Sequence, residues 1–131
     1  MATRSLIGKV NPNNTVDFIY CHWDGNPDHN GEILKQYYNT PEKVDELLAL
    51  GDLSVLGPEI GEPHDPMANL ESNYWCIAFG RDKGEPNAQA ETNIPMEVFL
   101  GMDFRGEDFK YLFGTNFKWQ CFEYDGTPVA M

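Results

Sequence analysis

This chain is short of positive charge. Its 131 residues hold nine Lys and Arg against twenty-one Asp and Glu, a formal net charge of −12. Only Arg4, Arg81 and Arg105 carry a guanidinium group. Direct binding to a DNA or RNA backbone takes a cationic surface, and this composition does not supply one. Long apolar runs are missing as well: no stretch approaches the roughly 18–20 residues of a membrane span. The opening Met1-Ala2-Thr3-Arg4-Ser5 lacks the apolar segment of a secretory signal. The expected partners exclude nucleic acid and membrane, and the expected compartment is the cytosol.

Cysteine is scarce and poorly spaced for cross-linking. Cys21, Cys76 and Cys121 are odd in number, contain no Cys-x-x-Cys, and each sits in an apolar or aromatic run. Buried free thiols in a reducing compartment fit this pattern best. Signature motifs are absent too. There is no Walker loop, Gly-x-Gly-x-x-Gly, His-Glu-x-x-His, EF-hand or nucleophile elbow. No cofactor is expected.

What the chain does have is enough apolar material for one core: 41% hydrophobic and 13% aromatic residues. A single compact domain over 1–131 is expected. Ser5–Val10 and Thr15–His22 alternate like two strands around the turn cluster Asn11-Pro12-Asn13-Asn14. The second strand is apolar on most of both faces near its end, which suggests a central strand. Asp24–His29 reads as a loop, after which Asn30 is placed to cap a helix carrying Ile33, Leu34, Tyr37 and Tyr38. Thr40-Pro41-Glu42 starts a second helix, with Val44, Leu47 and Leu48 as its apolar stripe and Gly51 as its stop. Leu53–Leu56 reads as a helical turn.

Residues 57–72 and 81–93 read as long polar excursions, and 73–80 as a strand between them. Met96–Met102 fits a strand or a helical turn. Glu107–Phe113 and Asn116–Tyr124 form a hairpin around Gly114-Thr115, ended by Asp125-Gly126. The expected fold class is α+β: an antiparallel sheet of about five strands, with two short helices inserted after the N-terminal hairpin.

The segment from Tyr20 to Gly31 is densest in chemistry. His22, Asp24, Asp28, His29, His64 and Asp65 offer imidazole and carboxylate ligands, but at no established metal spacing. Ordinary structural roles account for them better: a strand-end histidine, an Asp-Gly turn and a loop histidine. Cys21 and His22 are neighbours on a strand and point to opposite faces, so they cannot act as nucleophile and base. Trp23, Trp75, Trp119 and the loop residue Arg81 could stack on and grip a small nucleotide, although strand aromatics usually serve the core. The residues singled out for ligand or partner binding are His22, Trp23, Asp24, His29 and Arg81. None is assigned a catalytic or metal role.

Three segments carry a family likeness: Ala2-Thr3-Arg4-Ser5-Leu6-Ile7-Gly8, Ile19-Tyr20-Cys21-His22-Trp23-Asp24-Gly25 with Asn30-Gly31, and Tyr37-Tyr38-Asn39-Thr40 through Leu50-Gly51-Asp52-Leu53-Ser54. Over this N-terminal half the chain resembles a family of small uncharacterised phage and bacterial proteins. The resemblance implies context and no catalytic residues. It points to a phage-type accessory protein in the host cell cytosol, possible as a homo-oligomer, that binds and inhibits a host factor. Antiviral defence machinery is the expected setting. Two mechanisms are open: occlusion of a basic host protein by an acidic surface, or sequestration of a small nucleotide signal. The rival readings are a metal-assisted hydrolase using His22, Asp24 and His29, and a structural or housekeeping phage protein.

Overall fold

A computed structural model describes residues 3–63 and 75–131. Strands β1 (Ser5–Val10) and β2 (Thr15–Cys21) form the expected hairpin, paired from Ser5↔Cys21 to Val10↔Val16. A π-helical turn, Pro27–Gly31, runs into α1 (Glu32–Tyr37), and α2 (Pro41–Ala49) follows. Then come β3 (Leu53–Val55), β4 (Ile77–Ala78), β5 (Glu91–Pro95), α3 (Met96–Gly101), β6 (Phe109–Phe113), β7 (Trp119–Glu123) and β8 (Pro128–Val129).

The α+β class holds, but the expected sheet of about five antiparallel strands does not. Among the described residues the sheet is mixed and has eight strands, seven in the order β4-β3-β2-β1-β6-β7-β8 and β5 beside β2 off that path. The second edge of β2 is shared. β5 runs antiparallel to its first half, while β3 runs parallel to its end through Cys21↔Leu53. A parallel neighbour needs a crossover, and α1 and α2 provide it between β2 and β3. β6 pairs parallel with β1 after the chain has travelled round the sheet. Neither pairing involves a tight turn, so neither leaves a hairpin signal in the sequence.

Local expectations fared unevenly. Thr40 caps α2, its hydroxyl accepting from the Lys43 N–H at 3.3 Å, and Pro41 takes the first helical position. Gly51 stops the helix at φ +76°, where a Cβ would run into the Ala88 carbonyl oxygen. Leu53–Val55, expected as a helical turn, is a strand held between β2 and β4. The polar 81–93 excursion ends in β5, whose exposed, weakly apolar residues hid it. Met96–Gly101 resolves as helix. His64 and Asp65, and much of the proposed 57–72 loop, lie outside the described residues.

Two apolar clusters sandwich the sheet. Leu34, Tyr38, Val44 and Leu47 of α1 and α2 pack on Ile7, Ile19, Cys21 and Tyr111. On the other face, Phe99 of α3 joins Leu6, Val16, Phe18, Tyr20 and Leu112. β2 is therefore covered on both sides, as its sequence indicated. All three cysteines are free and buried. Burial pushes the Cys21 thiol up to about 12 and that of Cys121 up to about 11, so both stay protonated. Among the described residues no helix is long and apolar enough to cross a membrane.

Candidate functional site

The chain from Tyr20 to Gly31 is a junction between strand and helix, and most of its polar atoms hold it together. Asn30 is not the helix cap expected of it. It is fully buried, and its side-chain amide donates to the Trp23 carbonyl (3.3 Å) and to Cys21 Sγ (3.4 Å). The Asn30 N–H closes the loop onto the Asp24 carbonyl at 3.2 Å. Tyr111 reaches across from β6 and donates its hydroxyl to the Gly25 carbonyl at 2.6 Å. Gly25 is required because a Cβ there would meet Ser5 and the Thr3 carbonyl at 2.9 Å. Asp24 adopts φ +57°, a left-handed conformation that Asp tolerates better than most residues.

The singled-out residues separate into three places. His22 follows Tyr20 by two and shares its sheet face. Its Nδ1 is hydrogen-bonded to the Tyr20 hydroxyl at 2.8 Å, and the Trp23 ring meets its imidazole edge-on at 4.8 Å. His29 and Asp24 have different partners, with His29 Nε2 3.9 Å from Asp24 Oδ2 and Nδ1 3.1 Å from Asn30 Oδ1. Among the described residues no three His, Cys, Asp or Glu side chains are grouped to hold a metal ion.

Arg81 is elsewhere and fully engaged. It donates from Nη1 to the Ile60 carbonyl (2.8 Å), from Nη2 to the Cys76 carbonyl (2.9 Å), and from Nε and Nη2 to the Asp82 carboxylate (2.9 and 3.1 Å). Its side chain is 14% exposed. It straps the loop after β3 to β4, and few of its donors remain for a ligand.

The other two arginines are the ones that meet near His22. Arg4 Nη1 donates to the Arg105 carbonyl at 3.2 Å. The Arg105 guanidinium lies 5.1 Å from the centre of the Tyr20 ring and 4.9 Å from that of Phe104. It also donates from Nη1 to Asp52 Oδ2 at 3.0 Å, while Asp52 Oδ1 accepts from the Tyr20 N–H. Lys83 stands nearby, with Nζ 3.4 Å from Ser54 Oγ and 5.1 Å from the Phe79 ring centre.

The protonation preferences follow from this geometry. Burial, then the charges of Arg4 and Lys83, hold His22 below its ordinary 6.5. Burial raises the Tyr20 phenol, against the pull of Arg4 and Arg105. Burial also raises Asp52, partly offset by the Tyr20 N–H and Arg105. A hollow of about 180 Å³ opens beside this group, lined by Tyr20, Asp52, Phe79, Asn87 and Arg105 among others.

Arg4, Asp52 and Arg105 were not legible as a site because they come from distant parts of the chain. Arg4 and Arg105 are 101 residues apart, and Asp52 and Arg105 are 53 apart. The one available signal was the scarcity of arginine. Searches of protein-family models, curated proteins and solved structures find no match to this chain.

Proposed function

We propose that this is a phage-type accessory protein without catalytic activity that binds and inhibits a basic host protein, with antiviral defence machinery as the expected target. The observation that carries the reading is Trp23. It is 43% exposed on a junction fixed from behind by Asn30 and Tyr111, and Asp24, Asp28 and Glu32 lie exposed along the same connection. A pre-fixed aromatic anchor among carboxylates suits a cationic partner, because little side-chain order must be gained on binding.

The rest of the charge supports the same direction. Lys9 is paired with Asp45, Lys35 with Glu32 and Arg81 with Asp82, and Lys110 is buried. Arg105 is paired with Asp52 as well, so five of nine cations are neutralised or hidden, and the net charge of −12 rests on carboxylates without such partners. The hydrolase alternative loses its ligand set, since His22, Asp24 and His29 do not group. Sequestration of a nucleotide through Arg81 is disfavoured by that residue's internal bonds.

Immobilised protein incubated with bacterial lysate tests the reading. A stoichiometric, basic partner should be retained, released by salt, and lost with Trp23→Ala or with Asp24→Asn plus Glu32→Gln. Retention unchanged by both variants, or insensitive to salt, contradicts it. Light scattering on the same samples reports whether the chain self-associates.

A further inference from the structure

We propose that Arg4, Tyr20, His22 and Arg105, together with the hollow lined by Asp52 and Phe79, form a binding site for a small phosphate-bearing ligand of the nucleotide class. This goes beyond the protein-docking reading and uses a different part of the surface chemistry.

The first argument is the placement of scarce charge. In a chain of −12, the Arg4 guanidinium bonds to the Arg105 backbone, the charges of both arginines act on the Tyr20 phenol, and those of Arg4 and Lys83 act on His22. Bringing cations together costs Coulomb energy unless something compensates them. Asp52 compensates Arg105. For Arg4 the compensation is incomplete: Nη1 finds only a backbone carbonyl, and Nε is buried with no hydrogen-bond partner among the described residues.

The second argument is polarity along the site. At one end stand Arg4, His22 and the Tyr20 hydroxyl, which favour an anion. At the other end the hollow presents the Asp52 and Glu85 carboxylates and the Asn87 side chain, which favour N–H donors and repel phosphate. Tyr20, Phe79 and the Arg105 guanidinium between them supply flat surfaces on which a ring can stack.

A ligand matching this order carries phosphate at one end and a planar, N–H-donating ring at the other. Guanine presents adjacent ring and amino N–H groups that the exposed Glu85 carboxylate can accept, both Asp52 oxygens being engaged by Tyr20 and Arg105. At about 180 Å³ the hollow is smaller than the usual pocket for a drug-sized molecule, and it suits one ring system. At physiological ionic strength charges beyond about 8 Å are largely screened, so the local cations can outweigh the acidic remainder of the surface.

Calorimetric titration with guanosine monophosphate, guanosine and inorganic phosphate, followed in parallel by the NMR resonances of His22, tests the site. The monophosphate should bind in the micromolar range and shift His22. Guanosine or phosphate alone should bind at least about tenfold more weakly, a difference of about 1.4 kcal/mol. Arg4→Gln should weaken the monophosphate by a similar factor with the thermal midpoint unchanged. Glu85→Gln, which keeps the size of the side chain, should reduce the preference for guanosine over uridine monophosphate. No heat and no His22 shift up to about 1 mM nucleotide overturns the proposal. So does phosphate binding as tightly as the nucleotide, or binding indifferent to Arg4→Gln. The titration uses purified protein alone, so its outcome is independent of any lysate partner.

Discussion

Under α1 and α2 the sheet meets Leu34, Tyr38, Val44 and Leu47, and the few polar groups there bond to carbonyls or sulfur. Tyr38 donates to the Gly57 carbonyl at 2.6 Å, and Trp119 Nε1 to the Tyr38 carbonyl at 2.7 Å. The opposite face also has an apolar patch, around Phe18 and Phe99, but charge is built into it. Lys110, Asp52 and Glu107 are buried charged residues, and all three serve the segment that covers this face. Lys110 donates to the carbonyls of Leu100, Met102 and Tyr124 at 2.9, 2.6 and 3.0 Å. Glu107 accepts from the N–H groups of Phe104 and Arg105. Asp52 ties Arg105 to β2.

The difference follows from what each face must hold. Two helices satisfy most of their own backbone groups, so an apolar interface suffices. The short α3 and the irregular 102–108 segment do not, and buried charges supply the missing partners. The same charges leave a polar edge beside Tyr20 and His22.

Replacing Lys110 should break this comparison most severely. Lys110→Met keeps the length of the side chain but strips three carbonyls of the buried ammonium that serves them. A loss of about 3–5 kcal/mol in urea unfolding is expected. Burial lowers the lysine against the opposing pull of Glu107, Asp103 and Asp125, and three acceptors favour the ammonium form. Leu47→Ala on the helical face removes fully buried apolar volume and should cost about 2–4 kcal/mol. If Lys110→Met proves milder than Leu47→Ala, charge does not organise the second face. Thr40→Ala removes only the α2 cap and should cost about 1 kcal/mol, which sets the scale of a change touching neither face.

Sequence reading found what local chemistry specifies. The β1–β2 hairpin, the Thr40-Pro41 helix start, the Gly51 stop and the β6–β7 hairpin each leave a short-range mark. It missed β3, β5 and β8, which are short or polar and exist because a neighbouring strand offers them an edge. It also placed too much weight on proximity in sequence. His22 and His29 are seven residues apart but have different partners, Tyr20 and Trp23 for the first, Asp24 and Asn30 for the second. Arg81 was chosen for lying in a loop, a position that gives no indication of which carbonyls its donors meet. Of the five residues singled out, Trp23, Asp24 and His29 are exposed, His22 is half-buried and Arg81 is largely covered.

The charge on His22 reports on the second face most directly. With its folded value below 6.5, neutral His22 contributes stability that is complete above about pH 6.5 and is lost as pH falls through the lowered value. NMR titration of the His22 ring in the native protein and in Arg4→Gln measures it. The account predicts a midpoint below 6.5 that moves upward when Arg4 is neutralised. A native midpoint at or above 6.5, or one unmoved by Arg4→Gln, would contradict a cationic cluster built around Tyr20 and His22.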